Sequence, residues 1–355
     1  MLIVLSTLLG AYGGIPAFNR LLCETAVEDA AARRQPLSVL ALTDALGTTE
    51  PAFHYTPCGG DRGRLIREYL RALWHRDFRL GQPLLLGHVN LAPLALSWPG
   101  PVGVIAHGSE VFSPLPPLRR ISLQRAKVVA CVSDYTADCV RRQQGVKADR
   151  IVRVVNALPC LPPLSEAISD PALPLRLLAI ARLHPDEKKG IDALLHALSR
   201  LPKDDFALTV IGEGPDLPRL RALSAQLGVS PRVRFLGAVS DAVRDAELAA
   251  CQVFALPSAL EGFGVVYLEA LAHGKPCLAA RAGGAPEIVR DGETGLLCPA
   301  PVEDHLDALC QALTRLRDPA LRQRLGDRGR AYVAQHHSRA AFAAAANALF
   351  GRLAR

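Results

Sequence analysis

Short apolar runs alternate with longer amphipathic stretches along most of this chain. In the first half MLIVLST, LSVLALT, PLLLGHVN, VGVIAHG, VVACVS and IVRVVN are too short for core helices. They read as parallel strands buried on both faces. Between several of them, AFNRLLCETAVEDAAARR and RLIREYLRALWHR repeat apolar positions with a helical period. The alternation lapses in the proline-rich ALPCLPPLSEAISDPALP, residues 157 to 174, which reads as a linker. It then resumes with LRLLAIARL, FALTVIGEG, VRFLGAV, VFALPS and PCLAARAGG, separated by GIDALLHALSR and DLPRLRALSAQLG.

Two successive βα arrays predict an α/β protein of two Rossmann-like, doubly wound domains, residues 1–165 and 166–355, facing across a cleft. Each domain should bind ligand at the carboxyl ends of its strands. The alanine-rich tail from Leu321 to Arg355 reads as helical and can pack back on the first domain.

A length of 355 residues suits about two domains, and a half-hydrophobic composition with 21% charge excludes global disorder. The net charge of +7 is small and spread evenly, which argues against a nucleic-acid partner. Nine cysteines form no C-x-x-C pair and no His/Cys cluster at metal spacing. That usage fits a cytoplasmic protein. The opening MLIVLSTLLGAYGG lacks a basic leader and an A-x-A site, so it reads as a first strand. No apolar run reaches the ~20 residues that span a bilayer, so membrane contact would be peripheral.

The densest chemistry lies in LEGFGVVYLEALAHG, where Glu261 and Glu269 flank a glycine-bounded turn and an apolar helix stopped by Gly274. Gly262 and Gly264 allow close backbone approach, and the helix start near Phe263 offers amides to an anion. Glu269, one turn further on, suits sugar hydroxyls rather than phosphate. A plain glycine turn with an acid complementing the helix dipole fits the same residues. ARLHPDEKKG sets Arg182 after a strand and Lys188 and Lys189 before the next helix, a pairing suited to a diphosphate or to a solvated loop. In the first half, Gly13 and Gly14 stand between strand and helix, and His107 directly follows a strand. No D-x-D, G-x-S-x-G or P-loop is present, and VIGEGP fails the dinucleotide fingerprint.

Taken in order, GGIPAFNR, GHVNLAPLA, AHGSEVF, CVSDYT, ARLHPDEKKGID, VIGEGP, VRFLGAV, SALEGFGVVYLEALAHGKPCLA and GGAPEIVRDGETGLL resemble glycosyltransferase family 4, the retaining GT-B enzymes, over nearly the whole chain. The resemblance implies a metal-independent hexosyltransferase with no cofactor beyond its nucleotide-diphosphate sugar. Its GDP- or UDP-sugar would feed a glycan or polyprenyl-linked acceptor in polysaccharide or envelope assembly. A nucleotide-sugar epimerase on the same fold, or a non-catalytic nucleotide-sugar-binding partner of another transferase, are the alternatives.

By the same resemblance Arg182 and Lys189, with Lys188 beside them, would bind the diphosphate. Gly262, Phe263 and Gly264 would offer amides, Glu261 would hold the donor sugar and Glu269 the ribose. Gly13 and Gly14 would close over the phosphate, and His107 would sit beside the transferred sugar. One departure is Asn156–Ala157, where the family usually has Asn-Gly. Separately, Arg119, Arg120, Arg125 and Lys127, interspersed with Leu118, Ile121 and Leu123, lie in an acid-free stretch. That stretch reads either as a helix lying on an anionic bilayer or as an ordinary solvated face.

Overall fold

The computed structural model describes residues 1–9, 13–50, 52–74, 81–164 and 174–354. It divides into two compact units, Met1–Pro159 with Arg339–Arg355, and Cys160–Ser338. The division falls just before the expected boundary at 165/166, and it assigns the last helix to the first unit rather than the second. Residues 165–173 of the anticipated linker lie outside the described residues.

The first unit is a seven-stranded parallel sheet of β1 (Leu2–Leu5), β2 (Ser38–Ala41), β3 (His54–Pro57), β4 (Leu84–Leu86), β5 (Val102–Ala106), β6 (Val128–Cys131) and β7 (Ile151–Arg153). Its order is β3-β2-β1-β4-β5-β6-β7. The first half of the chain supplies α1 (Gly14–Arg33), α2 (Arg62–Trp74), α3 (Pro117–Arg125) and α4 (Asp134–Gln144) around the sheet. Every residue of β1, β5 and β6 is buried, as their unbroken apolar runs require. Strand β3 has no apolar run of its own, because it is an edge strand that needs little covering.

The second unit is a six-stranded parallel sheet of β8 (Leu175–Ile180), β9 (Phe206–Ile211), β10 (Val233–Gly237), β11 (Val253–Leu256), β12 (Cys277–Ala280) and β13 (Gly295–Cys298). Its order is β10-β9-β8-β11-β12-β13. Helices α5 (Ile191–Arg200), α6 (Leu217–Gln226), α7 (Asp241–Ala250), α8 (Val265–Ala272), α9 (Ala285–Ile288), α10 (Leu306–Arg315) and α11 (Pro319–His336) complete it. Strand β13 forms from GLLC, inside a stretch that the sequence pattern presents as a glycine-rich turn. It too is an edge strand.

Strand order reverses at β1/β4 in the first unit and at β8/β11 in the second. At such a point neighbouring loops leave the sheet in opposite directions, which opens a crevice at the strands' carboxyl ends. The candidate residues sit on the loops after these strands, and on the loop after β5.

The expected helical tail is two helices, α11 and α12 (Arg339–Ala354), separated at His337–Ser338. Helix α12 packs on α1, with Phe342 edge-on to Phe18 at 5.1 Å. Arg339 reaches Glu24 and Glu28, both at 3.3 Å. Phe342 is buried, so Phe342→Ala should lower the stability of the first unit by about 3–5 kcal/mol. Denaturant unfolding followed by a probe in that unit checks this, and an unchanged midpoint would remove α12 from its core.

Candidate functional site

In the second unit, Arg182 follows β8, and a 3-10 turn at Pro185–Glu187 leads to Lys188 and Lys189. Lys188 carries a positive φ of 21°, unusual for a side chain other than glycine or asparagine. Its carbonyl accepts from the Ala259 amide at 3.0 Å, tying this loop to the one after β11. Lys189 makes the second tie, donating to Glu261 Oε2 at 3.2 Å. Glu187 lies between the cations, 2.8 Å from the Arg182 guanidinium and 3.6 Å from Lys189 Nζ. Lys188 is exposed and makes no ion pair among the described residues.

The β11 loop runs through Glu261, Gly262 and Phe263 to Gly264, which caps α8 with a φ of 93°. A Cβ there would overlap the Tyr267 ring, so both the turn and the close approach require glycine. Among the described residues no side chain caps α8, which makes its amino end a candidate anion position. Phe263 is buried against His337, ring centroids 5.7 Å apart, so its side chain anchors the turn. Glu269 lies about one turn into α8 and is partly buried. From β12 the Gly284 amide donates to the Glu261 carbonyl at 2.8 Å, while a Cβ on Gly283 would strike that same carbonyl.

A cavity of about 670 Å³ is lined by Arg182, Lys188 and Lys189, and across from them by Asp192, Arg219 and Glu303. Neither the glycine turn nor Glu269 lines it. The ion pairs, rather than this cavity, define the candidate site. Arg219 is bound up elsewhere, forking onto Asp192 at 2.5 and 3.0 Å and onto Asp216 at 2.6 and 2.7 Å.

In the first unit Gly14 opens α1 and Gly13 precedes it, with residues 10–12 outside the described ones. The segment leading to them hangs on Asp44, which accepts from the Thr7 hydroxyl at 2.5 Å, the Leu8 and Leu9 amides at 2.9 and 2.8 Å, and the Tyr55 hydroxyl. His107 follows β5, with Nε2 2.9 Å from the Gly87 carbonyl. A carbonyl only accepts, so Nε2 carries the proton and Nδ1 keeps its lone pair. Glu110 takes the His107 amide at 2.5 Å. Phe18 from α1 meets the ring edge-on at 5.1 Å, and His88 stacks on it at 5.8 Å. Burial pushes His107 down to about 4, opposed by Glu110 and assisted by His88. The imidazole is therefore neutral near pH 7.

Within each unit the structure gathers the residues anticipated from sequence. In the second, Arg182, Lys189 and Glu261 are joined by ion pairs, with Lys188, Gly262–Gly264 and Glu269 on the same loops and helix. In the first, His107 packs on Phe18 of α1, the helix that Gly14 opens. Sequence reasoning passed over Glu187, Asp44, Glu110 and His88. His88 had a readable signal, since it stands just past the end of β4 as His107 stands just past β5. Among the described residues no group of three His, Cys, Asp or Glu side chains is arranged to hold a metal ion.

Residues 172–332 match the family model described as "Glycosyl transferases group 1". The chain is 34% identical over 299 residues to a GDP-mannose-dependent alpha-(1-6)-phosphatidylinositol monomannoside mannosyltransferase of Mycolicibacterium smegmatis, covering 75% of this chain and 73% of that protein. It is 40% identical over 159 residues to an MMP alpha-(1->4)-mannosyltransferase of Mycolicibacterium hassiacum, covering 44% and 38%. Among solved structures, a sucrose-phosphate synthase from Thermosynechococcus elongatus superposes with a TM-score of 0.79 at 21% identity, covering 99% and 98%. Anabaena Alr3699/HepE in complex with UDP and glucose gives 0.75 at 19%, covering 99% of each chain. These likenesses identify the pair of doubly wound units as the GT-B fold.

The low affinity of His107 for a proton has a consequence for acid stability. Between about 6.5 and 4, the unfolded chain takes up a proton that the folded imidazole refuses. The contribution is complete above pH 6.5 and is lost as pH falls through that window. His107→Gln should flatten this part of a stability–pH profile measured by denaturant unfolding, and an unchanged slope would remove the group from the linkage.

Proposed function

The chain belongs to the group 1 glycosyltransferases, and we propose that it transfers a hexosyl residue from a nucleotide-diphosphate sugar to a lipid-linked glycan acceptor, with retention of configuration and without a metal ion. The observation that carries this reading is the convergence of Arg182, Lys189 and Glu261 beside the uncapped start of α8. The Mycolicibacterium smegmatis relative, named as GDP-mannose-dependent and acting on a phosphatidylinositol mannoside, makes GDP-mannose the first donor to try.

Breaking the anomeric bond builds positive charge on the sugar and negative charge on the departing diphosphate. Arg182, Lys189 and the α8 amides are placed to take up the second charge. Glu261, held by Lys189, presents its remaining acceptor capacity to sugar hydroxyls. Glu269 faces the ribose from within α8. In the first unit the neutral His107 keeps a lone pair on Nδ1 that suits a sugar hydroxyl, and the Gly13–Gly14 start of α1 suits close backbone approach by a phosphate. No side chain is assigned as a covalent nucleophile. The acceptor oxygen attacks the face the diphosphate leaves, and its proton passes to the leaving phosphate oxygen.

The lipid character of the acceptor draws support from one face of the first unit. Helix α2 exposes Ile66, Leu70 and Trp74 at four-residue spacing, Trp74 being 88% exposed. Arg62, Arg67 and Arg71 edge this stripe. Helix α3 exposes Leu118 and Ile121 together with Arg120 and Arg125, Lys127 is exposed just beyond its end, and Arg119 is partly covered. Leu123, grouped with them by sequence, is buried in the core. Tyr69 of α2 donates to the Leu94 carbonyl, and α3 packs on the same 3-10 segment, Val89–Leu96, so both helices flank one element. No helix among the described residues is long and apolar enough to cross a membrane. A basic, apolar-tipped surface is suited to lying on an anionic bilayer.

Donor assays test the chemistry. Glu269→Ala should weaken binding of the free nucleoside diphosphate by about 10- to 100-fold, the loss of charged hydrogen bonds. Glu261→Ala should cut kcat by about 100-fold with a smaller effect on nucleotide affinity. EDTA should leave the rate unchanged. Nucleotide binding with no release of nucleoside diphosphate from any sugar conjugate would favour a binding protein instead. For the membrane face, Arg120→Glu with Arg125→Glu should reduce co-sedimentation with phosphatidylglycerol-containing vesicles at low salt by about tenfold or more. Absence of wild-type co-sedimentation would sink the membrane reading.

A further inference from the structure

We propose that Glu187 is a positioning residue that stands in for the donor's diphosphate: it holds Arg182 and Lys189 in place in the unliganded site and is displaced when the nucleotide sugar binds. The inference rests on the donor-site reading above and assigns a role to a residue that neither motif nor spacing marked.

The geometry has three parts. The two carboxylate oxygens of Glu187 divide between the two cations, Oε1 at 2.8 Å from the Arg182 guanidinium and Oε2 at 3.6 Å from Lys189 Nζ. A diphosphate would present its oxygens to the same pair. Next, Lys189 keeps a separate and shorter contact with Glu261 at 3.2 Å, so losing Glu187 would leave it partnered. Arg182 has no second ion pair among the described residues, and its side chain is 76% exposed. It can therefore swing between Glu187 and a ligand. Finally, Glu187 ends a three-residue 3-10 turn, and its amide donates to the His184 carbonyl at 3.0 Å. The backbone thus fixes where the carboxylate starts.

Electrostatics give the arrangement its purpose. Without Glu187, three cations at residues 182, 188 and 189 would share one loop with Glu261 as their nearby counter-charge. Mutual repulsion would loosen the exposed Arg182 and Lys188 side chains, but Lys189 would stay on Glu261, so the order lost costs less than the carboxylate displacement that the donor no longer has to make. With Glu187 present, the cations wait near their working positions, but the incoming diphosphate must displace a carboxylate. The same competition favours release of the nucleoside diphosphate after transfer. Glu187 thus lowers donor affinity while hastening turnover of the site.

The test uses Glu187→Gln and Glu187→Asp in the full chain. Titration calorimetry would follow inorganic pyrophosphate, GDP, UDP and ADP, with the bare nucleosides as controls. The exposed ion pair is worth at most about 1 kcal/mol, so Glu187→Gln should bind pyrophosphate and the recognised nucleoside diphosphate about three- to fivefold more tightly. Nucleoside affinity should not move, and product inhibition by the nucleoside diphosphate should strengthen by the same factor. Glu187→Asp keeps the charge and should return toward wild type. Unchanged or weaker pyrophosphate and diphosphate binding in Glu187→Gln, with wild type still binding them, overturns the stand-in role and leaves the donor site standing. Folded wild-type protein that binds none of the diphosphates defeats the donor-site reading itself, and this proposal with it.

Discussion

Lys189 and Glu261 meet at 3.2 Å with both side chains largely withdrawn from water. An ammonium or a carboxylate placed there alone would be costly, and the contact offsets much of that cost. The pair therefore makes the β8 and β11 loops interdependent: neither can settle without the other. The hydrogen bond from Ala259 to the Lys188 carbonyl fixes the same joint through the backbone. These loops leave the sheet at its switch point, from the adjacent strands β8 and β11. The charges that would hold a diphosphate are thus brought together by an interaction between two of the site's own residues.

Behind that pair the site stands on close packing. Tyr267 donates its hydroxyl to the Leu256 carbonyl at 2.6 Å and meets Phe254 edge-on, pinning α8 to the end of β11. Phe263 lodges against His337, which in turn lies beside Tyr332, and Arg290 covers the Tyr332 ring at 4.4 Å. A turn with two glycines is held still because its one large side chain points inward. Rigidity of the backbone amides comes from this aromatic cluster, and the glycines contribute access.

Most of the fold was legible because buried parallel strands announce themselves as unbroken apolar runs. The two strands that escaped notice, HYTP and GLLC, both lie at sheet edges. An edge strand is covered on fewer sides and needs fewer apolar residues, so its pattern resembles a loop. The proline-rich linker marks where the alternation lapses, within a few residues of the observed division, and the tail expected to pack back on the first domain does so on α1 through Phe342, a residue that no local pattern singled out. In the site, glycines, strand-end cations and the two glutamates were readable from position. Glu187 was not, since an acid among basic residues in a loop reads as solvated charge until its two oxygens are seen on two cations. Asp44 was hidden likewise, because its hydrogen bonds reach 35 to 37 residues back along the chain.

The two units carry different electrostatics at the carboxyl ends of their strands. The second unit collects Arg182, Lys188, Lys189 and a helix amino end, a setting for growing negative charge on a leaving diphosphate. The first unit places a histidine at a strand end and then keeps it uncharged. Burial disfavours the imidazolium, and the Gly87 carbonyl fixes the proton on Nε2. A protonated ring would present a cation at that position. A neutral ring with a lone pair on Nδ1 can instead orient a hydroxyl without adding charge. Glu110 works against this by favouring the protonated ring, yet burial outweighs it. The balance between that carboxylate and desolvation therefore sets the charge that His107 presents at the end of β5.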